Sequence, residues 1–255
     1  MAGAIYPDLE GSVVLVTGGG SGIGAGIVRQ FCRQKARVGF VDIAQAPSRA
    51  LAAEMAASGA TACFEPCDLT DVAALQGAVA RLRAALGPIR VLVNNAANDD
   101  RHATETVTSA YWDDRMAVNL KHQFFAAQAV LPDMQAAGGG AIVNLGSVSW
   151  MLGMGGMPVY TAAKSAVLGL TRALARDYGP YNVRVNAVAP GWIRTQLTQP
   201  AQDDPGRSDP IVARTPMRRW GEPTDVAGPI LFLLSEPARF VTGVLLPVDG
   251  GYSVS

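Results

Sequence analysis

Histidine and cysteine are scarce in this chain, so a metal centre has little to draw on. Among 255 residues there are two histidines, His102 and His122, and three cysteines, Cys32, Cys63 and Cys67. The cysteines are odd in number and lack zinc-type partners. They read as buried or idle thiols of a cytoplasmic protein in a reducing compartment, and no metal is expected. Charge is sparse as well: Asp, Glu, Lys and Arg make up 16% of the residues, and the two signs balance at 21 each. Without a basic excess there is no electrostatic footprint for nucleic acid, and without a charge block no interaction tail. No apolar run reaches the ~18 residues of a membrane span. Met1 to Glu10 lacks the basic and apolar regions of a secretion signal.

What the chain does have is apolar residues, 49% of the total, enough for one well-filled domain or two small ones. Short β-branched runs alternate with longer Ala-rich segments. The runs 13–16, 37–41, 61–65, 91–93, 141–145, 183–188 and 244–248 read as strands, most of them continuously apolar, as in a parallel sheet covered on both faces. Helices are expected at about 22–35, 48–58, 71–86, 110–137, 159–178 and 224–234. Strand alternating with helix throughout predicts a single-domain, doubly wound α/β fold with a seven-stranded parallel sheet. Residues 199–214, rich in Pro, Asp and Gly, read as an exposed loop without regular structure, part of a substrate lid spanning about 192–214.

Three features carry chemistry. The first expected strand runs into Thr17-Gly18-Gly19-Gly20-Ser21-Gly22-Ile23-Gly24. Glycines there allow a tight turn and let a pyrophosphate approach the backbone, with the N-terminus of the following helix facing the anion. No Gly-Lys-Ser/Thr ending follows, which argues against an NTP site of the Walker type. Asp42 closes the second strand, about twenty residues further on. A carboxylate there accepts hydrogen bonds from a ribose and repels a 2′-phosphate, favouring NAD over NADP. Asp68, after the third strand, either faces the adenine edge or caps a helix. Third, Tyr160 and Lys164 stand one helical turn apart on one face. A phenol beside a fixed cation is expected to titrate nearer neutrality and to serve as a general acid/base.

With these residues in place, the chain resembles the short-chain dehydrogenase/reductase family from about Gly11 to Tyr252. Beyond the glycine loop, the family's N-N-A-G element stands here as Asn94-Asn95-Ala96-Ala97, with Ala97 replacing glycine. Asn119 matches the asparagine of the long central helix, and Ser147 the serine upstream of the tyrosine. Residues 190–195 (PGWIRT) match the element at the nicotinamide end, and Asp249-Gly250-Gly251 the usual close. The resemblance implies an NAD-dependent enzyme, usually tetrameric, oxidising or reducing a CH–OH group. Tyr160 would be the acid/base, Lys164 its cationic support and a ribose ligand. Ser147 would orient the substrate oxygen, and Asn119 would hold a water linking Lys164 to solvent. Cofactor contacts would come from Gly18, Ser21, Gly22, Ile23 and Gly24, from Asp42, Asp68, Leu69 and Asn95, and from Pro190, Ile193 and Thr195, besides Tyr160 and Lys164.

Substrate-facing positions should follow these elements. Asn98 to His102 (NDDRH) is polar for a pocket wall, and Trp150 offers a broad aromatic face. With Ser147, Ser149 and Tyr160, they suit the hydroxyls and C–H faces of a sugar. The pairing of N-N-A-x-N-D-x-R-H with G-S-V-S-W, and the start ending in IYPDLEG, is similar to bacterial aldose 1-dehydrogenases within the family. These oxidise galactose, arabinose, xylose or fucose. Two other classes stay open: a polyol, secondary-alcohol or 3-oxoacyl/ketone enzyme of the same fold, and a non-catalytic NAD-sensing protein.

Overall fold

The computed structural model describes residues 4–255; the first three residues of the N-terminal stretch lie outside them. In chain order the elements begin with β1 (Val13–Thr17), α1 (Gly22–Arg33), β2 (Arg37–Asp42), α2 (Gln45–Ala57), β3 (Ala62–Pro66) and α3 (Val72–Leu86). They continue with β4 (Val91–Asn94), α4 (Ser109–Met116), α5 (His122–Ala136), β5 (Gly140–Leu145), α6 (Pro158–Tyr178) and β6 (Val183–Pro190). The last are α7 (Gln199–Gln202), α8 (Pro205–Arg214), α9 (Pro223–Leu234) and β7 (Leu245–Val248).

The strands form one parallel sheet in the order β3-β2-β1-β4-β5-β6-β7. Its continuous apolar runs are explained by what covers them. Val14 and Val16 of β1 face the layer of α1, α2 and α9, while Val13 and Leu15 face the layer of α3, α5 and α6. A strand wet on one side would alternate; β1 is buried at every position. Strand order reverses at β1, which pairs in parallel with β2 on one side and with β4 on the other (Val14 with Val38 and with Val91). At such a reversal the crossovers diverge and leave a crevice beyond the carboxyl ends of the strands.

Two segments depart from expectation. The helix expected over 110–137 is interrupted: a π-helical turn, Ala117–Lys121, separates α4 from α5. Asn119 is the cause visible in the geometry. Its Nδ2 donates to the carbonyls of Arg115 and Asn98, each at 2.9 Å, so a side chain takes up a carbonyl that the wider turn releases. The second departure is 199–214, expected to lack regular structure and found as α7 and α8. Asp204, counted as a breaker, is an N-cap whose Oδ1 accepts from the Gly206 N–H at 2.9 Å, and Pro205 occupies the first helical turn, where its missing N–H is harmless. Ala201 and Ile211 are buried with Trp220 and Tyr252 in a small apolar cluster apart from the two main layers. No helix among the described residues is long and apolar enough to cross a membrane.

Candidate active site

At the carboxyl ends of β1 and β4 the structure opens a cavity of about 510 Å³. Its floor is the glycine turn. Gly18 has φ +65°, its N–H donates to Val41 O at 2.8 Å, and a Cβ there would lie 2.8 Å from Ala96 Cα. Gly24 is more constrained still: a Cβ would stand 1.9 Å from Gly18 O, so only glycine lets α1 begin this close to the turn. Ser21, the N-cap of α1, makes no side-chain cap bond. The first N–H groups of α1 therefore lack a side-chain acceptor at a positive helix end, which suits a pyrophosphate.

Asp42 lines the same cavity, and its carboxylate is held from two sides. Oδ2 accepts from Gly20 N–H at 2.9 Å and Oδ1 from Ala44 N–H at 2.8 Å. Each oxygen keeps a second lone pair for a ribose hydroxyl. Asp68 also lines the cavity, but its Oδ1 is engaged by the backbone and hydroxyl of Thr70, and the α3 N-cap is Asp71. Asn95 does structural work beside its place on the wall. Its Nδ2 donates to Thr17 O at 3.0 Å and Gly18 O at 2.8 Å, tying β4 to the glycine turn. Ser21, Gly22, Ile23, Leu69, Pro190, Ile193 and Thr195 line the cavity with them. A cradle that admits no Cβ, a helix end without a side-chain cap and a carboxylate at the adenosine side together fit a dinucleotide.

Ser147, Tyr160 and Lys164 converge at the other end of the cavity, from the turn after β5 and from the first turns of α6. The Lys164 ammonium is buried, donates to Leu145 O at 2.8 Å and stands 5.7 Å from the centre of the Tyr160 ring. Burial pulls Lys164 down to about 7, partly offset by the Asp99 carboxylate. The Tyr160 phenol is not depressed as expected. Burial pushes it well above its usual range and Asp99 adds to that, while Ser147 and Arg101 pull the other way. Desolvation of the phenolate outweighs what the Ser147 hydrogen bond and the Arg101 charge return. Asn119 is buried behind this group, outside the cavity wall, with its Oδ1 accepting from Asn98 N–H at 2.9 Å.

The expected sugar wall is only partly on the cavity. Asn98, Asp99 and Arg101 line it. Asp100 turns out to pair with Arg115 at 3.0 Å, and His102 is consumed by Tyr111 (2.9 Å) and the Asp100 carbonyl (3.0 Å). Trp150, expected to offer its face to substrate, does not line the cavity. The chain winds into a tight turn after Ser147, closed by Leu152 N–H to Val148 O and Met154 N–H to Ser149 O. That turn leaves Ser149, Met154 and Met157 on the wall in its place. Trp192 lines the cavity, edge-on to Trp220 with ring centres 5.5 Å apart. Asp114 and Arg115, also on the wall, escaped the sequence reading; a helix carrying alternating charge gives no signal of facing a cavity.

Comparison with known proteins agrees with this geometry. The family profile described as Enoyl-(Acyl carrier protein) reductase matches residues 18–253. The chain is 45% identical over 252 residues to D-xylose 1-dehydrogenase of Caulobacter vibrioides, covering 99% of this chain and 100% of that one. It is 41% identical over 248 residues to galactitol 2-dehydrogenase (L-tagatose-forming) of Cereibacter sphaeroides, covering 96% of each. Among solved structures, a blue fluorescent protein from a metagenomic library in complex with NADPH matches with a TM-score of 0.87 at 37% identity, covering 96% of this chain and 99% of that one. The chain belongs to the short-chain dehydrogenase/reductase family. It is an oxidoreductase acting on CH–OH groups with a nicotinamide cofactor.

Proposed function

We propose that this protein is an NAD-dependent aldose 1-dehydrogenase, oxidising the anomeric hydroxyl of a pyranose to a lactone. The observation that carries it is the cavity itself: Ser147, Tyr160 and Lys164 meet at one end, and Asn98, Asp99 and Arg101 line the wall beside them. Full-length similarity to a D-xylose 1-dehydrogenase supports the same substrate class. In this reading the glycine turn and the α1 N-terminus hold the pyrophosphate, and Asp42 binds the adenosine ribose, with Asp68 and Leu69 beside it. Pro190, Ile193 and Thr195 flank the nicotinamide, which supplies the hydride acceptor. Ser147 holds the substrate hydroxyl and favours charge developing on its oxygen. Tyr160 Oη takes that proton, Lys164 stabilises the resulting arrangement, and Asn119 positions the relay behind it. Residues 192–214 cover the substrate as a lid. The free thiols Cys32, Cys63 and Cys67 suit a cytoplasmic protein, and the assembly is a homotetramer.

The test is an initial-rate screen with NAD and NADP against pentoses, hexoses, 6-deoxyhexoses, polyols and ketones, with the product identified. Aldoses should turn over to lactones, faster with NAD. Tyr160→Phe should lower kcat by a factor on the order of 10²–10⁴ with NAD affinity kept within a few-fold. Aldoses inert beside an active polyol would move the protein to the polyol enzymes, the class of its galactitol-oxidising relative. Bound NAD with no turnover at all would favour a sensor.

A further inference from the structure

We propose that Asp99 is the residue that selects the substrate by its C2 hydroxyl, the one next to the carbon being oxidised. This rests on the aldose reading above and narrows it to one contact.

The loop after β4 divides its polar residues between two tasks. Asp100 and His102 are spent on protein partners, whereas Asp99 lines the cavity with no side-chain donor bonded to it among the described residues. Arg101, the nearest formal cation on the same loop, reaches Gly155 O at 3.4 Å and forms no ion pair with Asp99. Asp114, another carboxylate on the wall, is already bound by Arg115 at 2.5 Å. Among the described residues Asp99 is thus a wall carboxylate with neither an ion pair nor a side-chain hydrogen bond, whereas at the glycine-turn end two backbone N–H groups hold Asp42 and Thr70 holds Asp68. Asp99 is half-buried, and loss of hydration pushes its own titration upward. A carboxylate in that position is strongly favoured by any ligand that brings hydroxyl donors to it.

Its place along the cavity says which hydroxyl. The loop that carries Asp99 is bonded to the start of α6: His102 N–H donates to Gly156 O at 2.9 Å, and Val159 N–H, one residue before Tyr160, donates to His102 Nε2 at 3.4 Å. Asp99 thus lines the cavity at its Tyr160 end, in keeping with the pull of its charge on Tyr160 and Lys164. A pyranose with its anomeric hydroxyl on Tyr160 has two neighbours flanking C1: the ring oxygen and the C2 hydroxyl. The ring oxygen has no proton to give. Only the C2 hydroxyl can satisfy an acceptor-only group there.

The experiment compares D-galactose with 2-deoxy-D-galactose (or the best aldose with its 2-deoxy analogue) for the wild type, Asp99→Asn and Asp99→Ala, at saturating NAD. The wild type should prefer the full sugar by about 100-fold in kcat/KM, because the deoxy analogue leaves a desolvated carboxylate unpaired. Asp99→Ala should lose about that factor on the full sugar and change by less than about 3-fold on the deoxy sugar, with KM for NAD unmoved. Asp99→Asn, which keeps one acceptor oxygen, should fall between them. A wild type indifferent to the C2 hydroxyl, or an Asp99→Ala that loses equally on both sugars, would overturn the assignment. If aldoses are inert and another donor reacts, the aldose reading falls separately, and a vicinal diol against its monoalcohol then decides Asp99 by the same two criteria.

Discussion

Tyr160 and Lys164 titrate differently from what their spacing suggests. Two residues one turn apart on a helix imply a cation lowering a phenol. The depth at which α6 buries both reverses the balance: the phenol rises, and the ammonium falls to about 7. With Tyr160 as the proposed base, alcohol oxidation needs the ionised phenol, so its rate should climb with pH and keep climbing on the alkaline side of neutrality, while ketone reduction should favour lower pH. Asp99 raises Tyr160, so Asp99→Asn should move the rising limb of kcat toward acid. A limb that stays put, or moves to alkali, in a pH–kcat series would show that Asp99 does not act on the proton-transfer step. At this scale the sequence located the groups well but not their environment. Gly24, Asp42, Ser147 and Tyr160 stand in motifs with fixed spacing. Asp114 stands in none, and Trp150, although it closes G-S-V-S-W, is turned off the wall; whether such a side chain meets a cavity depends on how a turn closes or how a helix is rotated.

At the scale of elements, the strands were legible because a parallel sheet buried on both faces writes itself as unbroken β-branched runs, and all seven appear within about two residues of their expected bounds. The lid was not. Proline and aspartate break a helix interior but start a helix well, and composition alone does not separate the two uses. The π-helical turn at Asn119 was invisible for a different reason: its cause is a tertiary contact to Asn98. Because α7 and α8 are anchored in their own small cluster, their stability should be separable from that of the sheet. Removing the α8 cap with Asp204→Ala should cost the lid about 1 kcal/mol. The expected outcome is a several-fold higher KM for the sugar with Tm nearly unchanged and NAD affinity intact. A drop in Tm as large as a core substitution causes would mean that the lid and the sheet melt as one unit.

For the whole molecule, the apolar surface left outside these layers points toward self-association. Phe240 is fully exposed, Phe232 of α9 and Val244 just before β7 are exposed too, and so are Trp112 of α4 and Phe124 of α5. Sedimentation analysis should find a homotetramer, as family resemblance leads one to expect; a monomer at micromolar concentration would contradict it. The strand order has a consequence of another kind. β1 is made early in synthesis, yet its partner on one side, β4, pairs Val14 with Val91 only after three whole crossovers, through α1, α2 and α3, have intervened. Pairings that span so much chain carry a loop-closure cost before any contact rewards it, and they make folding slow. Until residue 91 emerges, the edge of Val14, Leu15 and Val16 is an open template of unpaired backbone groups flanked by apolar side chains. A nascent chain halted before β4 is thus the form of this protein most exposed to aggregation, and the one that most needs a chaperone.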